Sequence, residues 1–283
     1  MIRKTTFLLM LLNVLAVALK AQTDTVKEAK TLTLAALYNS NISYYGQVTS
    51  EKLPYALLNA TLRFPSGFYV SAGSYRLFSD SSFVSEGDLG IGYDYEINDK
   101  FSVGLSYYKF FYPKNSPLLQ AANTNNVSFM ATYHLPWFKS VFSTDYSFGK
   151  ADDIFMSWGQ SKDISLFNIT ENDLISIEPC IELVAGSRNF FETYTIEKEK
   201  RGKGNSKNPN AGSGNAGNAG SVTETIEAST FSMLAYNFKL PINYSRANYL
   251  AELSYQFTIL GHETEPGVKR NQSFFGLAFY YQF

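Results

Sequence analysis

The chain has 283 residues with 24 Lys and Arg against 25 Asp and Glu, a formal charge of -1, and a single Cys. This balance speaks against an electrostatic nucleic-acid binder, and one thiol excludes an internal disulfide framework. Aromatic residues make up 16% of the chain and charged residues only 17%, while the mean hydropathy of -0.14 is too low for a bundle of membrane helices. Many aromatics without high mean hydropathy suit strands that are apolar on one side only.

Arg3 and Lys4 precede an apolar run, Phe7–Leu19, followed by small-residue cleavage sites around Ala16–Ala18 and Leu19–Ala21. This reads as a secretory signal peptide over residues 1–21. About 13 apolar residues fall short of the roughly 20 that a spanning helix needs. Removing Arg3, Lys4 and Lys20 takes the formal charge from -1 to -4. Residues 22–38 are expected to form a periplasmic N-terminal segment, with the folded domain covering 39–283.

From there period-two segments recur between polar and Gly/Pro/Asn/Asp breaks. In chain order they are Asn39–Gln47, Tyr55–Phe64, Gly67–Phe78, Phe83–Ile97, Phe101–Tyr112 and Asn126–Trp137, then Val141–Phe148, Ile154–Phe167, Leu174–Tyr194, Thr230–Tyr244, Tyr249–Leu260 and Ser273–Phe283. Twelve strands result, most of them near or above the ~9–11 residues that a tilted strand needs to cross a bilayer. The segment Ile154–Phe167 fits least well, because Gln160 and Lys162 fall in step with Trp158 and Ile164, so a bulge or a shorter strand is expected there.

The connections alternate in length. Tight turns are expected at Pro65-Ser66, 98–100, 138–140, 170–173 and 245–248, and long ones at 113–125, 197–229 and 261–272. The stretch 197–224, rich in Gly, Asn, Ala and Ser, cannot bury enough apolar surface to order itself, and is expected to be a long disordered extracellular loop. Short turns at one end and long loops at the other are the pattern of an outer-membrane barrel. An even strand count then puts both termini on the periplasmic side. The fold class expected is all-β: a transmembrane antiparallel up-and-down β-barrel of about twelve strands.

Face assignment follows from alternation. Leu89, Ile91, Tyr93, Tyr95 and Ile97 alternate with Gly90, Gly92, Asp94 and Glu96; Tyr249, Ala251, Leu253, Tyr255, Phe257 and Ile259 alternate with Leu250, Glu252, Ser254, Gln256 and Thr258. A soluble sandwich would bury the apolar faces against a second sheet. A barrel in lipid turns them outward around a wet interior and leaves no unpaired edge.

The closing stretch QSFFGLAFYYQF carries Phe275, Phe279, Tyr281 and Phe283 on one face. It resembles the C-terminal strand of Gram-negative outer-membrane β-barrel proteins. The resemblance implies residence in the outer membrane, contact with its lipid, and recognition of these four residues by the barrel assembly machinery. It identifies no subfamily.

Little in the sequence suggests chemistry. The two His residues are His134 and His262, and neither has Ser two positions on, so the His-x-Ser pair of outer-membrane phospholipases is absent. No enzyme activity and no cofactor are expected, and Cys180 reads as a small packed residue. Alternation turns Glu86, Asp88, Asp94, Glu96, Asp145, Glu178, Glu182 and Glu252 inward, against Arg63 and Lys239. An acidic lumen of this kind would favour cations if it is open. The function expected is a small passive channel or solute-binding barrel; the alternative is a closed structural or adhesive surface protein acting through its loops.

Overall fold

The computed structural model describes residues 29–80, 82–114, 116–190, 231–261 and 268–283. The expected signal peptide, the 197–229 loop and His262 lie outside the described residues. The barrel unit spans Thr31–Phe283. Its strand segments are β1 (Thr31–Asn39), β2 (Tyr55–Arg63), β3 (Phe68–Leu77), β4 (Glu86–Asn98), β5 (Phe101–Phe111), β6 (Asn125–His134), β7 (Lys139–Phe148), β8 (Asp153–Ser161), β9 (Ile164–Phe167), β10 (Asp173–Ile177), β11 (Cys180–Gly186), β12 (Ser232–Arg246), β13 (Tyr249–Leu260) and β14 (Asn271–Gln282). All pair antiparallel with their neighbours, β1 pairs with β14, and the additional β11–β12 pairing closes the ring.

Fourteen segments make twelve traversals because two strands are interrupted at the same height. β8 and β9 are separated by Lys162 and Asp163, and β10 and β11 by Glu178 and Pro179. Pro179 has no N–H to give the ladder, and Pro241 removes a second donor from neighbouring β12. The backbone compensates with bonds from Lys162 N to the Pro179 carbonyl (3.2 Å) and from Glu178 N to the Pro241 carbonyl (3.2 Å). The irregularity expected within Ile154–Phe167 is this break.

The tight turns gather at the end that also holds the start of β1 and the end of β14, here called the terminal end. Each has a local reason. Asn98 Oδ1 accepts from the backbone N–H groups of Lys100 and Phe101 (both 3.0 Å). The Asp173 carboxylate accepts from Ile169 N (2.7 Å) and from the Thr170 hydroxyl (2.6 Å). Gly67 adopts φ +88, with its Cα hydrogen facing the Asp94 carbonyl where a Cβ would collide. The seam between first and last strands is fastened at this end by Phe283 N donating to the Leu32 carbonyl at 2.9 Å.

One expected boundary is corrected. The first strand is Thr31–Asn39 rather than Asn39–Gln47, so the barrel begins within the segment assigned to a periplasmic extension. Leu32, Leu34, Ala36 and Tyr38 supply its outer face. Residues 40–54 instead fold as a loop between β1 and β2.

Large apolar side chains stand exposed all round the outside, among them Leu58 at 62%, Leu105 at 57%, Trp158 at 50% and Leu277 at 55%. On each strand they alternate with inward residues, as the period-two pattern requires. Aromatic pairs frame this belt. Tyr93–Tyr95, Phe101–Tyr133 and Tyr281–Phe283 lie towards the terminal end, and Tyr38–Phe78, Tyr146–Phe148 and Tyr255–Phe275 towards the loop end. An apolar band between two aromatic girdles matches a bilayer and its interfaces.

Candidate functional site: a polar chamber beneath an inserted loop

The loop of residues 40–54 does not rise away from the barrel; it enters the lumen. Asn41 Oδ1 clamps its two legs by accepting from Ile42 N (3.0 Å) and Leu53 N (2.7 Å). Its tip is a tight hairpin in which Tyr44 and Gln47 exchange backbone bonds of 2.8 and 2.9 Å. The central residues Tyr45 (φ 48) and Gly46 (φ 85) are both left-handed, as a type I′ turn demands.

The tip reaches the far wall. The Tyr45 ring stacks on Phe155 with centroids 3.7 Å apart at 8°, and Tyr44 meets Phe155 and Phe190 edge-on. Gln47 Nε2 donates to the Leu234 carbonyl at 2.7 Å. Three apolar clusters surround the loop. Tyr44 and Tyr45 pack with Phe155, Val184 and Leu234; Ile42 and Leu53 pack with Tyr75, Leu77, Leu118 and Ala121; and Val48 packs with Leu260 and Phe274. The residues around Leu118 belong to the β5–β6 connection, which also folds inward through a 3₁₀ turn at Leu119–Ala122. The loop end of the lumen is therefore filled by protein: Gln47 and Phe155 are fully buried, and Val48 is 1% exposed.

Burial raises the hydroxyl pKa values of Tyr44 and Tyr45, so both stay neutral, and Asn123 donates to the Tyr44 oxygen at 3.0 Å. Beside them Asp153 is buried and accepts from Ser187 Oγ (2.6 Å), Asn189 N (2.8 Å) and Phe190 N (2.9 Å), which fixes the root of the β11–β12 connection.

Below the loop the character changes. A cavity of about 290 Å³ is lined by Asn39, Asn41, Asn237, Gln256, Glu182 and Lys239, together with the rings of Tyr45, Tyr55 and Phe274. Lys239 Nζ lies 2.8 Å from Glu182 Oε2, which also accepts from Asn237 Nδ2 at 2.7 Å. Further toward the terminal end Lys139 pairs with Glu178 at 2.6 Å, and Arg63 pairs with Asp94. These ion-paired side chains are between 22% and 45% exposed, so this part of the interior is wet.

The sequence-derived acids thus fall into distinct places. Asp94, Glu178 and Glu182 are ion-paired. Glu86 is buried on β4 with Gln120 Nε2 at 3.5 Å; Asp88 lies above Gly73 on the same wall; and Asp145 is buried close to the Ser143 hydroxyl (3.5 Å). Glu96 is exposed at the terminal rim, and Glu252 lines the wall on β13. Of the bases, Arg63 and Lys239 take part in these ion pairs. Lys139 does too, and was missed because the sequence reading put it in a turn; its place as the first residue of β7 shows only from the pairing His134↔Lys139. His134 is exposed at the rim. Phe275, Phe279 and Phe283 stand exposed on the outside of β14, with Tyr281 on the same face. Among the described residues no His, Cys, Asp and Glu cluster could hold a metal ion.

A closed antiparallel barrel with an apolar outer belt, aromatic girdles and a polar, partly wet interior is the architecture of an integral outer-membrane β-barrel protein. No family model matches the chain, and no curated protein does. Among solved structures it is similar to a KdgM porin (8% identity, 89% of this chain and 99% of that one, TM-score 0.49). It is likewise similar to LpxR from Salmonella typhimurium (8%, 88% and 99%, 0.49) and to an outer membrane channel from Pseudomonas putida F1 (12%, 93% and 100%, 0.46). Similarities of this depth say nothing of what this chain binds.

Proposed function

We propose that the protein is a small passive channel or solute-binding barrel of the outer membrane, with its terminal end in the periplasm and its mouth stoppered by the 40–54 loop. The contrast between the two ends of the lumen carries this reading. Charged and amide side chains around a 290 Å³ space offer a solute donors and acceptors in one place. Here that polar space lies directly under a plug whose removal would expose it. The reading involves no catalytic group.

The three apolar clusters around the loop favour a second reading, a permanently closed barrel that acts through its surface loops. Conductance across planar bilayers separates the two. The measurement compares wild type with a variant in which residues 42–52 are replaced by a short Gly-Ser turn. In the channel reading the wild type conducts weakly or intermittently and the variant steadily. A variant that shifts on unboiled gels like the wild type, yet never conducts, leaves the closed barrel standing.

A further inference from the structure

We propose that the chamber beneath the loop is a binding site for one neutral polyhydroxylated ring, a solute of monosaccharide size. This rests on the solute-binding reading above and deepens it. At about 290 Å³ the space lies at the lower edge of the ~300–1,000 Å³ of small-molecule sites, enough for a single ring and too little for a chain.

Three features of the lining select the ligand class. The first is charge. Its ionic groups, Glu182 and Lys239, neutralise each other at 2.8 Å, so a charged solute gains no net attraction and disturbs a formed pair. The second is hydrogen-bonding type. Asn39, Asn41, Asn237 and Gln256 converge from β1, the loop, β12 and β13. Each amide both donates and accepts, as every hydroxyl of a polyol does. Part of this capacity is unspent. Gln256 Nε2 donates to Asn237 Oδ1 (3.3 Å) and to Thr258 Oγ1 (2.9 Å), leaving its Oε1 without a partner among the described residues. Asn41 uses its Oδ1 on the two loop legs and leaves its Nδ2 likewise.

The third feature is the aromatic part of the lining. Tyr45 and Tyr55 each give one ring face to a protein neighbour, Phe155 at 3.7 Å and Tyr75 at 4.1 Å. Their remaining edges, with Phe274, offer carbon surface between the polar groups of the lining. A pyranose ring presents C–H groups on its faces and hydroxyls around its rim, so it satisfies both kinds of lining group at once. A flexible polar chain or a flat aromatic solute satisfies only one.

The test is calorimetric titration of refolded full-length protein in detergent with methyl glucoside, glucuronate and glucosamine, three rings of one size and different charge. Methyl glucoside should bind, and the two charged rings should bind at least tenfold more weakly. Gln256→Leu, which keeps bulk and removes the amide, should weaken methyl glucoside about tenfold. Lys239→Met should instead raise glucosamine affinity relative to the neutral ring, because Glu182 loses its counter-charge. Gel shift on unboiled samples confirms that each variant is folded. No heat with any of the rings, or equal binding of all three, overturns the ligand assignment even if the barrel conducts. Binding of methyl glucoside in a barrel without conductance overturns the channel and leaves the site.

Discussion

Gly46 occupies a position that fails twice for any other residue. Its φ of +85 is left-handed, and a Cβ there would run into the Cβ of Ala235. Both penalties push the tip of the loop away from β12. Gly46→Val is therefore expected to unseat the loop while leaving the barrel ladder intact. The check is a rise in bilayer conductance with an unchanged gel shift. Tyr45→Ala acts on the same contact from its other side. Losing the ring removes roughly 1.5–3 kcal/mol of burial and about 0.5–1.5 kcal/mol more of stacking, or at least about tenfold in the balance between seated and unseated loop. Single-channel records should show longer open times by about that factor.

The ion pairs make a prediction with a definite sign. Glu178→Gln together with Glu182→Gln leaves Lys139 and Lys239 without their carboxylates. In a conducting barrel this should move selectivity toward anions, and most at low salt, where screening is weak. Reversal potentials in a salt gradient read the shift directly. An unchanged potential would mean that these pairs stand outside the ion path.

At the scale of elements, the inserted loop and the barrel wall are separable. The wall is held by ladder bonds between neighbouring strands, whereas the loop is held by side-chain contacts to three clusters. Replacing residues 42–52 is expected to leave assembly and heat-modifiable migration unchanged. The measurement is the boiled and unboiled pair on one gel. Failure of the loop-less chain to migrate as a folded barrel would show that the clusters support the wall as well. The break at Pro179 and Pro241 has the opposite character, since it lies in the wall itself. The strand pattern signalled it only as a local misfit between Trp158 and Ile164, because the donors are removed on the neighbouring strands.

For the whole molecule, orientation in the membrane has a direct measurement. With Cys180 changed to Ser, a Cys introduced at Phe83, 79% exposed in the β3–β4 connection, should react with a membrane-impermeant maleimide on intact cells. A Cys at Asp99, in the tight turn between β4 and β5, should react only after the outer membrane is opened. The reverse result would turn the barrel over, and with it the assignment of the plugged end to the outside.

The sequence by itself determined the wall. Alternation in stretches such as Leu89–Ile97 and Tyr249–Ile259 fixes which side chains meet lipid, and the lengths of the connections sort the two ends, because both follow from local chain geometry. It also assigned the acids to the inner face one by one, as an expectation from alternation alone. It could not say what meets what across the lumen. Residues 40–54 carry no local signal of insertion, and Ile42 and Tyr44 even imitate an alternating strand, which displaced β1 by nearly its own length. The stacking of Tyr45 on Phe155, the pairing of Glu182 with Lys239, and the cavity between Asn39, Asn237 and Gln256 join residues far apart in the chain. Such contacts depend on barrel closure, register and the path of a loop through space, and only the tertiary structure decides them.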